Sequence, residues 1–257
     1  MCELFALSSH LPTTVSFSLQ RFAQRGGMNG KTLDGWGLAY YEGRDLRLYR
    51  EPEPARDSAW LPFIESRQSP STLVVSHIRQ ATRGGISLAN TQPFVREVGG
   101  RMHCFAHNGK LPGIDGMSEF DGGTYAHVGE TDSELAACAL FARMAVLWRD
   151  NSPPAPQMRL AVVEEFAAQM RELGPSNLVY ADGELLIAHG HRRIQPDGRI
   201  APPGLWMLQR NCAVDPGSLA EAGVRMSDGI GSQRAVLFAS VPLTDEPWRA
   251  LAEGEVV

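Results

Sequence analysis

No apolar run in these 257 residues approaches the ~20 that a membrane-spanning helix needs, which argues against a membrane partner. A basic excess is missing too: 24 Lys and Arg stand against 29 Asp and Glu, for a net charge of -5. Without clustered cations a nucleic-acid backbone has nothing to bind, and the pair Arg192-Arg193 reads as a solvated loop. Cysteine is scarce. Cys2, Cys104, Cys138 and Cys212 show no short paired spacing, so neither a disulfide framework nor a zinc ribbon is indicated. The start lacks the basic segment of a secretory signal, and Glu3 stands where one would sit, so a cytoplasmic address is expected. There is no internal repeat, and Pro153-Pro154-Ala155-Pro156 reads as a loop between helices. Residues 1–257 are therefore expected to form one domain.

What is present is a chain with 43% apolar and 21% charged residues, the balance of a protein that buries a core. Short strand-like runs dominate: Cys2 to Leu7, Trp36 to Tyr41, Leu46 to Tyr49, Thr72 to Ile78 and Met102 to Ala106, then Leu178 to Ala181, Leu185 to Ala188, Leu205 to Leu208 and Ala235 to Ser240. Asp182-Gly183 between two of them is a hairpin turn. Helical spacing occurs over Ser16 to Gln24, Ala59 to Arg67, Asp132 to Trp148 and Met158 to Leu173, with Thr131 or Asp132 as a cap. Strands, then two adjacent long helices, then strands again is not the alternation of a parallel fold. The pattern predicts an α+β protein with mainly antiparallel sheets.

Cys2 carries the sharpest chemical signal. Removal of Met1 would give one residue both a thiol and a free α-amine, titrating near ~8.5 and ~8, so that the amine can take the thiol's proton. A nucleophile and its base in one residue suit covalent catalysis. Three further segments place polar residues at strand ends and a helix start: Ser76-His77-Ile78-Arg79-Gln80-Ala81-Thr82, His107-Asn108-Gly109, and Thr131-Asp132-Ser133-Glu134. Asp34-Gly35-Trp36-Gly37 precedes them.

In these four segments, in this order, the chain resembles the class II glutamine amidotransferases, N-terminal-nucleophile hydrolases that begin with a catalytic cysteine. Asp34-Gly35-Trp36-Gly37, Gln80 after the arginine and the length look most like the stand-alone YafJ-type branch. The resemblance implies a four-layer αββα sandwich, two mainly antiparallel sheets between helix layers. It implies Cys2 as nucleophile, Asn108 and Gly109 as oxyanion donors, Arg79 on the substrate α-carboxylate and Asp132 on its α-ammonium. Such roles agree with the residue types, since a guanidinium grips a carboxylate with two parallel bonds. Trp36, His77 and Thr82 are placed near the pocket by resemblance alone; each also reads as an ordinary core, structural or turn residue.

The implied reaction is attack of the Cys2 thiolate on the γ-carboxamide of glutamine, loss of ammonia, and hydrolysis of the γ-glutamyl thioester. It requires no metal or organic cofactor. A separate ammonia-accepting synthetase subunit is the partner such chemistry suggests. Two alternatives stand beside it: hydrolysis of another γ-glutamyl amide, and a non-catalytic glutamine-binding regulatory subunit.

Overall fold

The computed structural model describes residues 2–13, 34–67, 70–148, 152–212 and 233–257. Thirteen strands and three α-helices are found among them. The helix expected over Ser16 to Gln24 lies outside the described residues.

The larger sheet contains β1 (Glu3–Thr13), β2 (Trp36–Glu42), β3 (Asp45–Glu51), β4 (Ser71–Ile78), β11 (Trp206–Cys212), β12 (Gln233–Ala239) and β13 (Arg249–Ala250). Its order is β13-β11-β12-β1-β4-β2-β3. The smaller sheet runs β5-β6-β7-β8, from β5 (Phe94–Val98), β6 (Arg101–Gly109), β7 (Ser176–Ala181) and β8 (Leu186–His189). β9 (Arg193–Ile194) and β10 (Ile200–Ala201) form a separate two-stranded ribbon. Neighbouring strands are antiparallel throughout.

Alternation along the strands sorts side chains into three apolar layers. Leu4 and Ala6 of β1, Ala39 and Tyr41 of β2, and Leu73 and Val75 of β4 meet Cys104, Ala106, Val179, Ala181 and Ala188 of the smaller sheet. That is the layer between the sheets, and its small residues let the two backbones approach. Phe5, Leu7, Trp36, Leu38, Tyr40 and Val74 point the other way, onto helix α1 (Leu61–Ser66). Phe94, Phe105, Leu178, Tyr180 and Ile187 face α2 (Asp132–Leu147) and α3 (Pro156–Leu173). Helices, sheet, sheet and helix thus stack in the αββα order.

Helix α2 ends one residue before the expected Trp148, which serves as its C-cap, and Thr131 rather than Asp132 caps its start. Pro156 opens α3, where a missing N–H costs nothing. The strand β5 was not evident from the sequence, because Arg96 and Glu97 interrupt its apolar pattern. Arg193 corrects the expectation of a solvated basic loop: it is buried and ion-paired, whereas Arg192 is half exposed.

Candidate active site

The register of β1 against β4, with Glu3 opposite Ile78, brings Cys2 level with Arg79. Alternation then turns Cys2 to the same side as Leu4, toward the smaller sheet. The Gln80 N–H donates to the Cys2 sulfur at 3.3 Å, and the thiol faces the Gln80 carbonyl at 3.5 Å. Burial pushes the thiol above its ordinary titration range. The Gln80 contact draws it down, Glu3 raises it and Arg79 lowers it.

Arg79 is buried. Its main chain is clamped by Asp34 and Gly35: the Asp34 N–H donates to Arg79 O at 2.9 Å and the Arg79 N–H to Gly35 O at 2.8 Å. Nη2 donates to the carbonyls of Arg83 at 3.1 Å and Gly84 at 3.3 Å. Nη1 is buried and has no protein partner. Burial lowers the guanidinium pKa, against the neighbouring Cys2 and Asp34. A buried donor left open on a cation is an anion site.

Asn108 comes from the end of β6 and reaches across the sheets, donating from Nδ2 to the Cys2 carbonyl at 2.6 Å. An amide carries a second hydrogen on the same nitrogen, so Asn108 keeps a further donor next to the Cys2 backbone. Gly109 follows it, opposite Ser176. A Cβ there would lie 1.9 Å from Pro175 O, so only glycine lets β6 meet the chain entering β7.

Asp132 sits in the first turn of α2. Oδ1 accepts from Ser133 N at 2.9 Å and Oδ2 from Leu111 N at 2.8 Å. Each oxygen keeps a lone pair, enough to receive an ammonium. The helix start is itself braced. Thr131 Oγ1 accepts from Glu134 N at 3.2 Å, and the Glu134 carboxylate binds Gly129 N at 2.7 Å and Arg96 at 2.9 Å.

Strand register therefore brings Arg79 level with Cys2, and a direct bond joins Asn108 to Cys2 across the sheets. The other expected residues fall differently. Trp36 is fully buried on the outer face of the larger sheet, its Nε1 on Glu51 at 3.0 Å, and does not join this group. Thr82 is exposed in the loop beyond β4. His77 lies two residues before Arg79 on the same strand, buried, with neither ring nitrogen in a hydrogen bond. Burial, with His107 and Arg79 nearby, pushes its pKa down to about 3, so it is neutral.

Several contributors escaped sequence reasoning. Gln92 pairs through its side chain with both backbone groups of His107, at 2.6 and 3.0 Å, and so holds the strand that carries Asn108. Asn90 joins the loop after Arg79 to the approach to α2, accepting from Glu130 N at 2.7 Å and donating to Gly85 O at 2.9 Å. Asn177 donates to Asn108 O at 3.1 Å. The run Asn90-Thr91-Gln92 was a legible signal, being polar and directly before a strand. Among the described residues no group of three or more His, Cys, Asp or Glu is placed to hold a metal ion. His103 and His107 face α2 while Cys104 faces the other sheet, as strand alternation requires. No described helix is long and apolar enough to cross a membrane.

Known proteins share the sequence family and the fold. Residues 1–257 match the family described as class II glutamine amidotransferases. YafJ of Escherichia coli (strain K12) is 34% identical over 260 residues, covering 99% of this chain and 96% of its own length. The crystal structure of a predicted glutamine amidotransferase from Pseudomonas aeruginosa PA01 superposes with a TM-score of 0.70 at 32% identity, covering 100% of this chain and 96% of its own. The glutamine phosphoribosylpyrophosphate amidotransferase of B. subtilis shares the fold alone, with a TM-score of 0.51 at 14% identity over 92% of this chain and 41% of that one.

Proposed function

The chain belongs to the class II glutamine amidotransferases, and from that premise we propose that it hydrolyses the γ-carboxamide of glutamine with Cys2 as nucleophile. The observation that carries the reading is the buried Arg79, its guanidinium Nη1 unpartnered, on the strand adjacent to Cys2 and level with it in register. A carboxylate bound there by one end of glutamine delivers the other end to the sulfur. Asp132 takes the α-ammonium.

Removal of Met1 frees the α-amine of Cys2, which accepts the thiol proton directly or through water. The thiolate adds to the γ-carbon, and the oxyanion is met by Asn108 Nδ2 and the Gly109 N–H; losing one such donor costs about 3 kcal/mol of barrier. The C–N bond breaks as the leaving nitrogen takes a proton, and ammonia departs. Water then adds to the γ-glutamyl thioester, releasing glutamate and restoring the thiol. His77, two residues before Arg79 on the same strand, is neutral and adds no competing cation. A separate synthetase subunit is the acceptor for ammonia when the protein acts as a transferase.

The test is release of glutamate and ammonia from glutamine by purified protein, with intact mass read on the same sample. Turnover that tracks loss of Met1 and vanishes in Cys2→Ala supports the reading. No turnover from protein that has already lost Met1 rejects glutamine as substrate and moves the search to other γ-glutamyl amides.

A further inference from the structure

The nucleophile and the oxyanion donor stand on different sheets. Cys2 leads into β1 of the larger sheet, and Asn108 ends β6 of the smaller one. The layer between them is largely Ala, Val and Leu, which resists separation, and the hydrogen bonds of Tyr41 Oη across it, to Met102 O at 3.0 Å and Ala181 O at 2.8 Å, lie at the far end of β6 and β7 from Asn108. Direct contact between the two residues is the single Asn108-to-Cys2 bond. Something else must fix their spacing.

Residues 191–193, just beyond β8, bond to a neighbour of each: Asn177 beside Asn108, and Glu3 after Cys2. At one end, Asn177 accepts from His191 N at 2.7 Å and donates to Arg192 O at 2.8 Å, while the same amide donates to Asn108 O. At the other, Arg193 grips the carboxylate of Glu3 with Nη2 to Oε1 at 2.7 Å and Nη1 to Oε2 at 3.3 Å. Nη1 also reaches the Ser240 carbonyl. Ser240 in turn exchanges bonds with Leu4: its Oγ accepts from Leu4 N at 2.9 Å and its N–H donates to Leu4 O at 3.0 Å. The residue after the nucleophile is thus tied to a segment that the Asn177 side chain links to the Asn108 peptide.

Gly204 belongs to the same arrangement. A Cβ at that position would fall 1.8 Å from Asn177 Oδ1. Glu3 is fully buried, and burial raises its pKa to about 7 despite Arg193 and Ser240. A pair that costs this much desolvation is poorly explained as a stabilising device.

We propose that residues 191–193 form a strut that sets the distance from Cys2 to Asn108, with Glu3, Arg193 and Asn177 as its positioning residues. This rests on the reading of Cys2 as nucleophile and Asn108 as oxyanion donor. None of the three positioning residues touches substrate; they act by holding groups that do. Glu3 also acts on the thiol through its charge, since it and Arg79 are the side-chain charges that bear on Cys2.

The experiment uses Arg193→Gln, Arg193→Lys and Glu3→Gln in the full-length protein. Folding is checked by calorimetry, kcat and KM for glutamine are measured, and alkylation of Cys2 by iodoacetamide is followed against pH by peptide mass. The expected result in Arg193→Gln is a kcat lower by on the order of 10- to 100-fold with KM within about threefold, because misplacement by about 1 Å acts on the transition state. Arg193→Lys restores most of the loss. In Glu3→Gln the alkylation profile moves to lower pH, the carboxylate that raises the thiol being gone. A folded Arg193→Gln with kcat within about twofold of the parent overturns the strut, as does a Cys2 alkylation profile unchanged in both neutral variants. Should the parent protein release no glutamate, the glutamine reading fails on its own, and the alkylation arm still decides whether the pair acts on Cys2.

Discussion

Among the described residues, two buried arginine–carboxylate pairs lie toward opposite ends of β7. Glu3–Arg193 lies at 2.7 Å beside Cys2; Asp182–Arg159 lies at 2.8 Å at the other end of β7. Six residues of strand separate Ser176, near Gly109, from Asp182, or roughly 20 Å. In both pairs the carboxylate is wholly inaccessible. Their surroundings differ. Asp182 Oδ1 also accepts from Glu184 N at 3.0 Å and Leu185 N at 2.9 Å, closing the hairpin into β8. Arg159 lies 5.4 Å from the Trp148 ring and near Glu184. That pair joins a helix to a turn. Glu3–Arg193 joins the strand that follows Cys2 to a segment anchored on the second sheet. The same chemistry serves local folding in one place and the alignment of two distant groups in the other.

Breaking the comparison begins at the nucleophile. Cys2→Ala should abolish glutamate release, by a factor of about 10⁴ or more, with a melting temperature close to that of the parent. Arg159→Met should do the reverse. Leaving Asp182 buried and unpaired costs about 3–5 kcal/mol of stability, readable as a lower denaturant midpoint. The kcat of the protein that remains folded should change by less than about twofold, because the far pair reaches no site residue. A tenfold fall in kcat there would erase the distinction between the two pairs. Asn108→Ala should lower kcat by about 10²- to 10³-fold, with KM much less affected.

The smallest effect concerns pH. Burial depresses the pKa of His77 and His103 to about 3 and of His107 and His189 to about 4, from an ordinary 6.5. Below about pH 6.5 the unfolded chain binds protons at these four residues that the folded chain refuses, so they lose stability as pH falls. Glu3, raised from 4.5 to about 7, works in the opposite sense across that window, because the folded state holds its proton longer. These histidines, joined by His191, which burial also lowers, outnumber Glu3 and predict a melting temperature that drops between pH 6.5 and 4.5. In Glu3→Gln the drop should be steeper, which calorimetry at a few pH values would detect.

Much of this was legible beforehand, for identifiable reasons. Short continuous runs of β-branched and aromatic residues such as Leu73-Val74-Val75 and Leu178-Val179-Tyr180 mark strands buried on both faces, and α2 shows itself by its apolar spacing. Cys2, Arg79, Asn108 and Asp132 stood out as reactive residue types at strand ends and a helix start. What the sequence hid were partners remote along the chain. Arg193 looked like half of a solvated basic pair, because nothing local shows that Glu3 lies against it, 190 residues away. Asn177 sat unremarked in a strand because its role depends on three neighbours from other segments. Trp36 shows the converse: a large aromatic beside the motif is drawn by its bulk into the outer core, with its indole N–H satisfied by Glu51.

Gly204 gives this arrangement a genetic consequence. It has no side chain to react, bind or carry charge, and it lies far along the chain from Cys2, Arg79, Asn108 and Asp132. Yet the smallest change, to alanine, would put a methyl group where Asn177 Oδ1 already sits. In a saturation screen for glutamine-dependent growth, this position should tolerate nothing. A catalogue of activity-killing substitutions would then point to a chemically mute residue as firmly as to the nucleophile.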